Sequence, residues 1–173
     1  MDRFDRIVSR MDRWLGMMLD VMVITLSGLL LLLLNWAVFA RFVLNDSVSW
    51  GEELPAHLLA MLTFFGAAYL TRSNEHLGFD AVLRVMPPGM MRVVTAINLI
   101  LMGAFGAMLA WYGGIAAASF GARSLISFDA PMMLFRGAMP FGGAMITLFC
   151  AVRFIGIVTG RIDPLDLLPE SDA

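Results

Sequence analysis

Four stretches of the chain carry almost no charge, and each is long enough to cross a bilayer. Residues 15–40 hold a single charged side chain, Asp20, and include an unbroken leucine run at 29–34; residues 54–71, 93–120 and 137–152 hold no Asp, Glu, Lys or Arg. The last stretch reaches residue 157 if the Arg153 guanidinium snorkels back to the headgroups. A spanning helix needs about 20 apolar residues, or ~17 at the short end. The pattern predicts an all-α integral membrane protein with four transmembrane helices, at about 15–40, 52–71, 93–118 and 136–157. These form one membrane domain over residues 1–160, followed by an acidic, polar tail at 161–173. With 60% hydrophobic and only 15% charged residues, against about 25% charged in soluble domains, the chain needs a bilayer to absorb its apolar surface. The first span is too long for the apolar region of a cleaved signal peptide, about 7–15 residues.

Charge and cysteine usage exclude several classes. A net charge of −2 without a basic block points away from nucleic acid. The single Cys150 rules out an intrachain disulfide and a cysteine-built metal site. All twelve basic residues are arginine, and their distribution sets the orientation. Arginine is retained on the cytoplasmic side. Arg3, Arg6, Arg10 and Arg13 precede the first span; Arg72, Arg84 and Arg92 flank the second loop; Arg153 and Arg161 lie at the C-terminal end. Only Arg41, Arg123 and Arg136 fall on the other side. Nine against three places both termini in the cytoplasm.

Two connecting segments have the pattern of short interfacial helices on the cytoplasmic surface. Phe4, Ile7, Val8, Met11 and Trp14 share one helical face of residues 2–14. Phe79, Val82, Leu83 and Met86 repeat this before Pro87, Pro88 and Gly89 stop it. Small residues concentrate in the last two spans, with Gly103, Gly106, Ala107, Ala110, Gly113, Gly114 and Ala117 in one and Ala138, Gly142, Gly143, Gly156 and Gly160 in the other. In lipid such residues let backbones approach, so these spans pack tightly, within the bundle or against another protein.

The richest polar stretch is 45–76. Ser49 and Glu52 have capping-box spacing, and Glu52 and Glu53 fall near the positive end of the second helix. Pro55 is compatible with a helix that begins near Gly51. Trp50, Glu53 and His57 share one face, and Glu53 and His57, at i,i+4, are close enough to pair. A carboxylate at the membrane edge calls for a partner; capping with a belt tryptophan is the plainer account. His57 and His76 are 19 residues apart, roughly 28 Å along a helix, too far to share a haem, so no cofactor is expected. Cys150, inside the last span, reads as a buried thiol rather than a nucleophile. Asp20 reads as an edge carboxylate within reach of water, Arg13 or Arg92, with a proton-coupling role as the alternative.

Trp50, Glu52-Glu53-Leu54, Phe65-Gly66-Ala67-Ala68, Arg72 and Glu75-His76, followed by the apolar segment 79–88 and Met139-Pro140-Phe141-Gly142, resemble the signature of the small membrane subunit of TRAP transporters, the DctQ-like family. The resemblance runs from about residue 14 to 157. It implies a non-enzymatic scaffold subunit in a bacterial inner membrane. Its partners would be the lipid bilayer, a large membrane subunit that performs sodium-coupled uptake of an organic acid, and a periplasmic substrate-binding protein. Trp50, Glu52, Glu53, His57, Arg72 and His76 are the candidate partner-interface residues. The chain itself lacks the broken helices and midplane polar cluster of a complete carrier. The competing reading is a self-sufficient small dimeric secondary transporter using Asp20 or Glu53 as its coupling carboxylate. The arginine distribution makes a direct prediction: reporter fusions should place both termini and residues 73–90 in the cytoplasm and residues 45–49 and 123–131 in the periplasm. A periplasmic C-terminus would rule out an even number of spans.

Overall fold

The computed structural model describes residues 3–73, 86–121, 123–127 and 130–161. Five helices account for most of them: α1 (Arg3–Phe42), α2 (Glu53–Ser73), α3 (Pro88–Phe120), a single turn α4 (Met133–Arg136) and α5 (Ala138–Val158). Four are long and apolar enough to span a bilayer, with α4 and α5 counted as one run. The expected 15–40 and 93–118 lie within α1 and α3, the expected 52–71 begins one residue before α2, and the expected 136–157 runs from the last residue of α4 into α5. Residues 3–14 are helical too, but they form the first turns of α1 rather than a separate element. No proline interrupts α1, and the helix runs on through Gly16 and Gly28 into the leucine run. The expected second interfacial helix and the polar tail lie almost wholly outside the described residues.

Proline placement explains two starts. Pro88 opens α3 where its missing N–H costs no hydrogen bond, so this helix begins before the expected residue 93. Pro140 sits in the first turn of α5, where it is tolerated for the same reason.

The helices form an open row, α1–α2–α5–α3, rather than a closed ring. The extensive packing is between α3 and α5, with smaller interfaces joining α2 to α1 and α2 to α5. Burial follows this order. In the most apolar window of the last span 44% of residues are buried inside the chain, against 11% for α1 and 17% for α3. The central helix α5 therefore has two packed faces. Gly142 meets Phe64 of α2, where an added Cβ would lie 2.8 Å from the Phe64 carbonyl oxygen. Gly143 meets α3, where a Cβ would lie 2.6 Å from both the Ala110 nitrogen and the Gly106 oxygen. The adjacent glycines thus serve different neighbours.

Along the α3–α5 seam, Gly103 touches Cys150, Gly106 touches Gly143 and Ile146, and Gly113 touches Met139 and Pro140. The Thr147 hydroxyl donates to its own Gly143 carbonyl at 2.9 Å, with the Gly103 carbonyl of α3 at 3.3 Å. The small-residue packing is internal to the chain at these positions. Where water is absent from both folded and separated states, close backbone contact supplies the association that hydrophobicity cannot. Leu19, Leu26, Leu58, Phe65 and Phe149 fill the core beside this seam, with Phe65 edge-on to Phe141.

Because the atoms facing Gly143 are backbone, they cannot swing away. Gly143→Val should destabilise the protein by about 1–3 kcal/mol through overpacking. Gly114→Ala, where a Cβ meets nothing within 4 Å, should change stability by no more than about 0.5 kcal/mol. Thermal unfolding of the two variants in detergent is the measurement; equal melting temperatures would show that the seam is not tight.

Candidate functional site

Both ends of α2 are held by long-range polar contacts, and most of the described candidate residues belong to one end or the other. At its start the helix begins at Glu53, two residues later than Gly51, so Pro55 remains in the first turn. The capping-box geometry of Ser49 and Glu52 is not what this end uses. The Leu54 N–H donates to the Trp50 carbonyl and the Ala56 N–H to the Glu52 carbonyl. Glu52 reaches outward to Arg41 at 3.7 Å, with both side chains mostly exposed, a geometry worth little in water.

Glu53 bridges across the bundle instead. Its Oε1 accepts the Ile126 N–H at 3.1 Å and its Oε2 accepts the Ser127 N–H at 2.8 Å. The Ser127 hydroxyl donates to the Ser49 carbonyl at 3.0 Å. One carboxylate thus clamps the connection between α3 and α4 onto the start of α2. That connection is itself ordered by an antiparallel bridge between Ser124 and Pro131 and by the Met132 N–H donating to the Arg123 carbonyl at 2.9 Å. Arg123 and Arg136 both lie over the Phe120 ring, at 5.2 and 5.1 Å from its centroid.

His57 does not pair with the Glu53 carboxylate. Its Nδ1–H donates to the Glu53 backbone carbonyl at 2.7 Å, one turn back, and its ring lies edge-on to Phe135. Glu53 and His57 lie one turn apart on α2 as expected, but the carboxylate is taken up by the two backbone amides.

The other end of α2 is capped from α5. Arg153 donates through Nη1 to the Thr71 carbonyl and through Nη2 to the Arg72 carbonyl. It therefore turns inward, filling the acceptor positions that a helix C-terminus leaves open, instead of only snorkelling to the headgroups. Arg72 in turn pairs with Asp12 of α1 at 3.3 Å. Its guanidinium passes directly over Gly16, where a Cβ would collide with it, and its buried Nε has no hydrogen-bond partner. Asp12, Gly16, Arg153 and Ser127 were not among the candidate residues. The i,i+4 spacing of Asp12 and Gly16 was the available signal for the first two. Nothing in the sequence marks Ser127.

Asp20 is half-buried and makes no ion pair with Arg13 or Arg92. His76 lies outside the described residues. Among those described, no group of three or more His, Cys, Asp or Glu is placed to hold a metal ion.

Four helices of spanning length and apolar composition define a multi-pass helical membrane protein. Residues 30–160 match the family model for the DctQ component of tripartite ATP-independent periplasmic transporters, and the chain belongs to that family. It is 26% identical over 133 residues to the C4-dicarboxylate TRAP transporter small permease protein DctQ of Pseudomonas aeruginosa, covering 74% of this chain and 63% of that protein. It is 27% identical over 70 residues to a putative TRAP transporter small permease protein of Haemophilus influenzae, covering 40% of this chain and 44% of that one. The chain thus spans about three fifths or less of the length of these relatives.

The two clamps can be tested separately. Glu53→Ala removes both acceptors of the 126–127 amides, so it should lower the melting temperature and expose the α3–α4 connection to protease. Glu52→Ala should do neither. Arg153→Leu strands two carbonyls of α2 and should cost about 1–3 kcal/mol for each. Equal protease resistance of the Glu52 and Glu53 variants would contradict the clamp.

Proposed function

We propose that this chain is the scaffold subunit of a TRAP transporter in a bacterial inner membrane, with both termini cytoplasmic. It braces a large membrane subunit during sodium-coupled uptake of an organic acid delivered by a periplasmic binding protein. Family membership supports the system. The observation that carries the scaffold role is the use of the polar groups. Glu53, Arg72 and Arg153 are engaged in holding helix ends together, and the middle of the row is packed on glycine and apolar side chains. That is the construction of a brace rather than of a substrate path.

On this reading the Glu53 end faces the periplasm. There Trp50 and the outward-turned Glu52 are available to a partner, while Glu53 and His57 shape the surface from beneath. Arg72 acts at the cytoplasmic end by fixing α1 against α2. The name of the Pseudomonas relative makes a four-carbon dicarboxylate the first substrate to try.

Reconstitution separates this reading from a self-sufficient carrier built on Asp20. Liposomes holding this chain alone should not accumulate dicarboxylate under a sodium gradient. Liposomes that also hold its large subunit, supplied with the binding protein, should. Sodium-driven uptake by this chain alone, abolished by Asp20→Asn, would establish the carrier reading instead.

A further inference from the structure

The open row leaves a recess between α2 and α3. Both helices pack on α5 but scarcely touch one another, and toward the Glu53 end of α2 the gap becomes a cavity of about 130 Å³. His57, Ala60 and Phe64 line it from α2, Ala116 from α3, and Arg136 and Met139 from the α4–α5 run. Phe64, set against Gly142, bounds it on the inner side. Ala60 is exposed, so the recess opens sideways at that level.

The two ends of the recess differ in chemistry. Arg136, which reaches Phe120 at the end of α3, and His57 belong to the outer end. Ala60 and Phe64 follow toward the middle of α2, with about 10 Å of helical rise from His57 to Phe64. Arg136 and Arg123 lie over the same Phe120 ring, at 5.1 and 5.2 Å from its centroid, and neither has an ion-pair partner among the described residues. The nearby Glu53 carboxylate is occupied by the two backbone amides. Two guanidinium groups held over one ring repel each other, and an anion beside them relieves that repulsion. The groove lined by Arg41 and Glu52 offers a contrast, because its arginine already has a carboxylate at 3.7 Å.

Volume restricts the occupant. A helix with its side chains is about 10–12 Å across and cannot enter 130 Å³. A cavity of roughly 150 Å³ holds a benzene-sized group, so a few methylenes of an alkyl chain fit the apolar part, with the rest of the chain leaving past Ala60. At the outer end a guanidinium pairs with a phosphate ester through two parallel N–H···O bonds. An anionic head at the helix ends and an alkyl chain directed toward mid-membrane are the two halves of a phospholipid.

We infer that the recess between α2 and α3 is a phospholipid site, with the lipid phosphate against Arg136 and Arg123 and one acyl chain running past Ala60 toward Phe64. A net-negative phosphoglycerol headgroup should be preferred to phosphocholine, whose own cation offsets the phosphate. On the topology proposed above, the lipid comes from the outer leaflet. The site itself depends on neither that topology nor the scaffold reading.

The test is native mass spectrometry of the full chain, delipidated in detergent and titrated with phosphatidylglycerol. One lipid should be retained per chain, and phosphatidylcholine should bind more weakly. Arg136→Gln should weaken binding about ten- to hundredfold, the effect of losing a charged hydrogen bond. Ala60→Phe, which fills the recess from an exposed position, should weaken it to a similar extent, and Arg41→Gln should leave it unchanged. Unchanged affinity in either the Arg136 or the Ala60 variant would overturn the proposal. A competition on the unsubstituted chain needs no variant: inorganic phosphate at the lipid's concentration should not displace it, and displacement would reduce the recess to a simple anion site. In the co-expressed complex with the large subunit, a benzophenone at Ala60→Cys in a Cys150→Ala background should label lipid. A product with the summed mass of the two subunits would instead assign the recess to a side chain of the partner.

Discussion

A helix end inside or beside a bilayer leaves several backbone groups without partners, and no water compensates for them in the hydrocarbon. The structure meets that constraint at both ends of α2, which lies between α1 and α5 in the row. Arg153 of α5 closes the C-terminal carbonyls, and the adjacent Arg72 carries the connection on to Asp12 of α1. At the opposite end the Glu53 carboxylate draws in the connection between α3 and α4 through two backbone amides. Three otherwise distant segments are thereby referred to one helix.

The polar clamps act together with close backbone packing. Gly142 and Gly143 present adjacent backbone surfaces to α2 and α3, so α5 is fixed laterally by shape while α2 is fixed lengthwise by charge. Alone, the open row leaves long apolar helices facing outward, which suits a subunit that completes its packing in lipid and against another protein.

Residue 53 shows why identity of type does not settle a role. Glu52 and Glu53 are neighbours with the same charge at the same helix start. One pairs weakly with an exposed arginine; the other holds a loop 73 residues away in sequence. His57 was placed correctly on the face of Glu53 by helical spacing, yet spacing could not show that the carboxylate would prefer two backbone amides to the imidazole.

Hydropathy and charge spacing by themselves determined the all-helical class, the number of spanning helices and their approximate limits, because in a bilayer a helix must be long and apolar and its charges must lie near its ends. The motifs around Trp50, Arg72 and Met139-Pro140 were sufficient to point to the family. The clustering of glycines also announced that the last two spans pack closely. Only the tertiary structure decided which helices are neighbours, that adjacent glycines serve different partners, and that Arg153, Asp12 and Ser127 close the ends of α2. These are contacts between residues 60 to 82 positions apart in sequence. Local periodicity carries no information about which distant donor will reach a given carbonyl or carboxylate, since that depends on how the helices are set side by side.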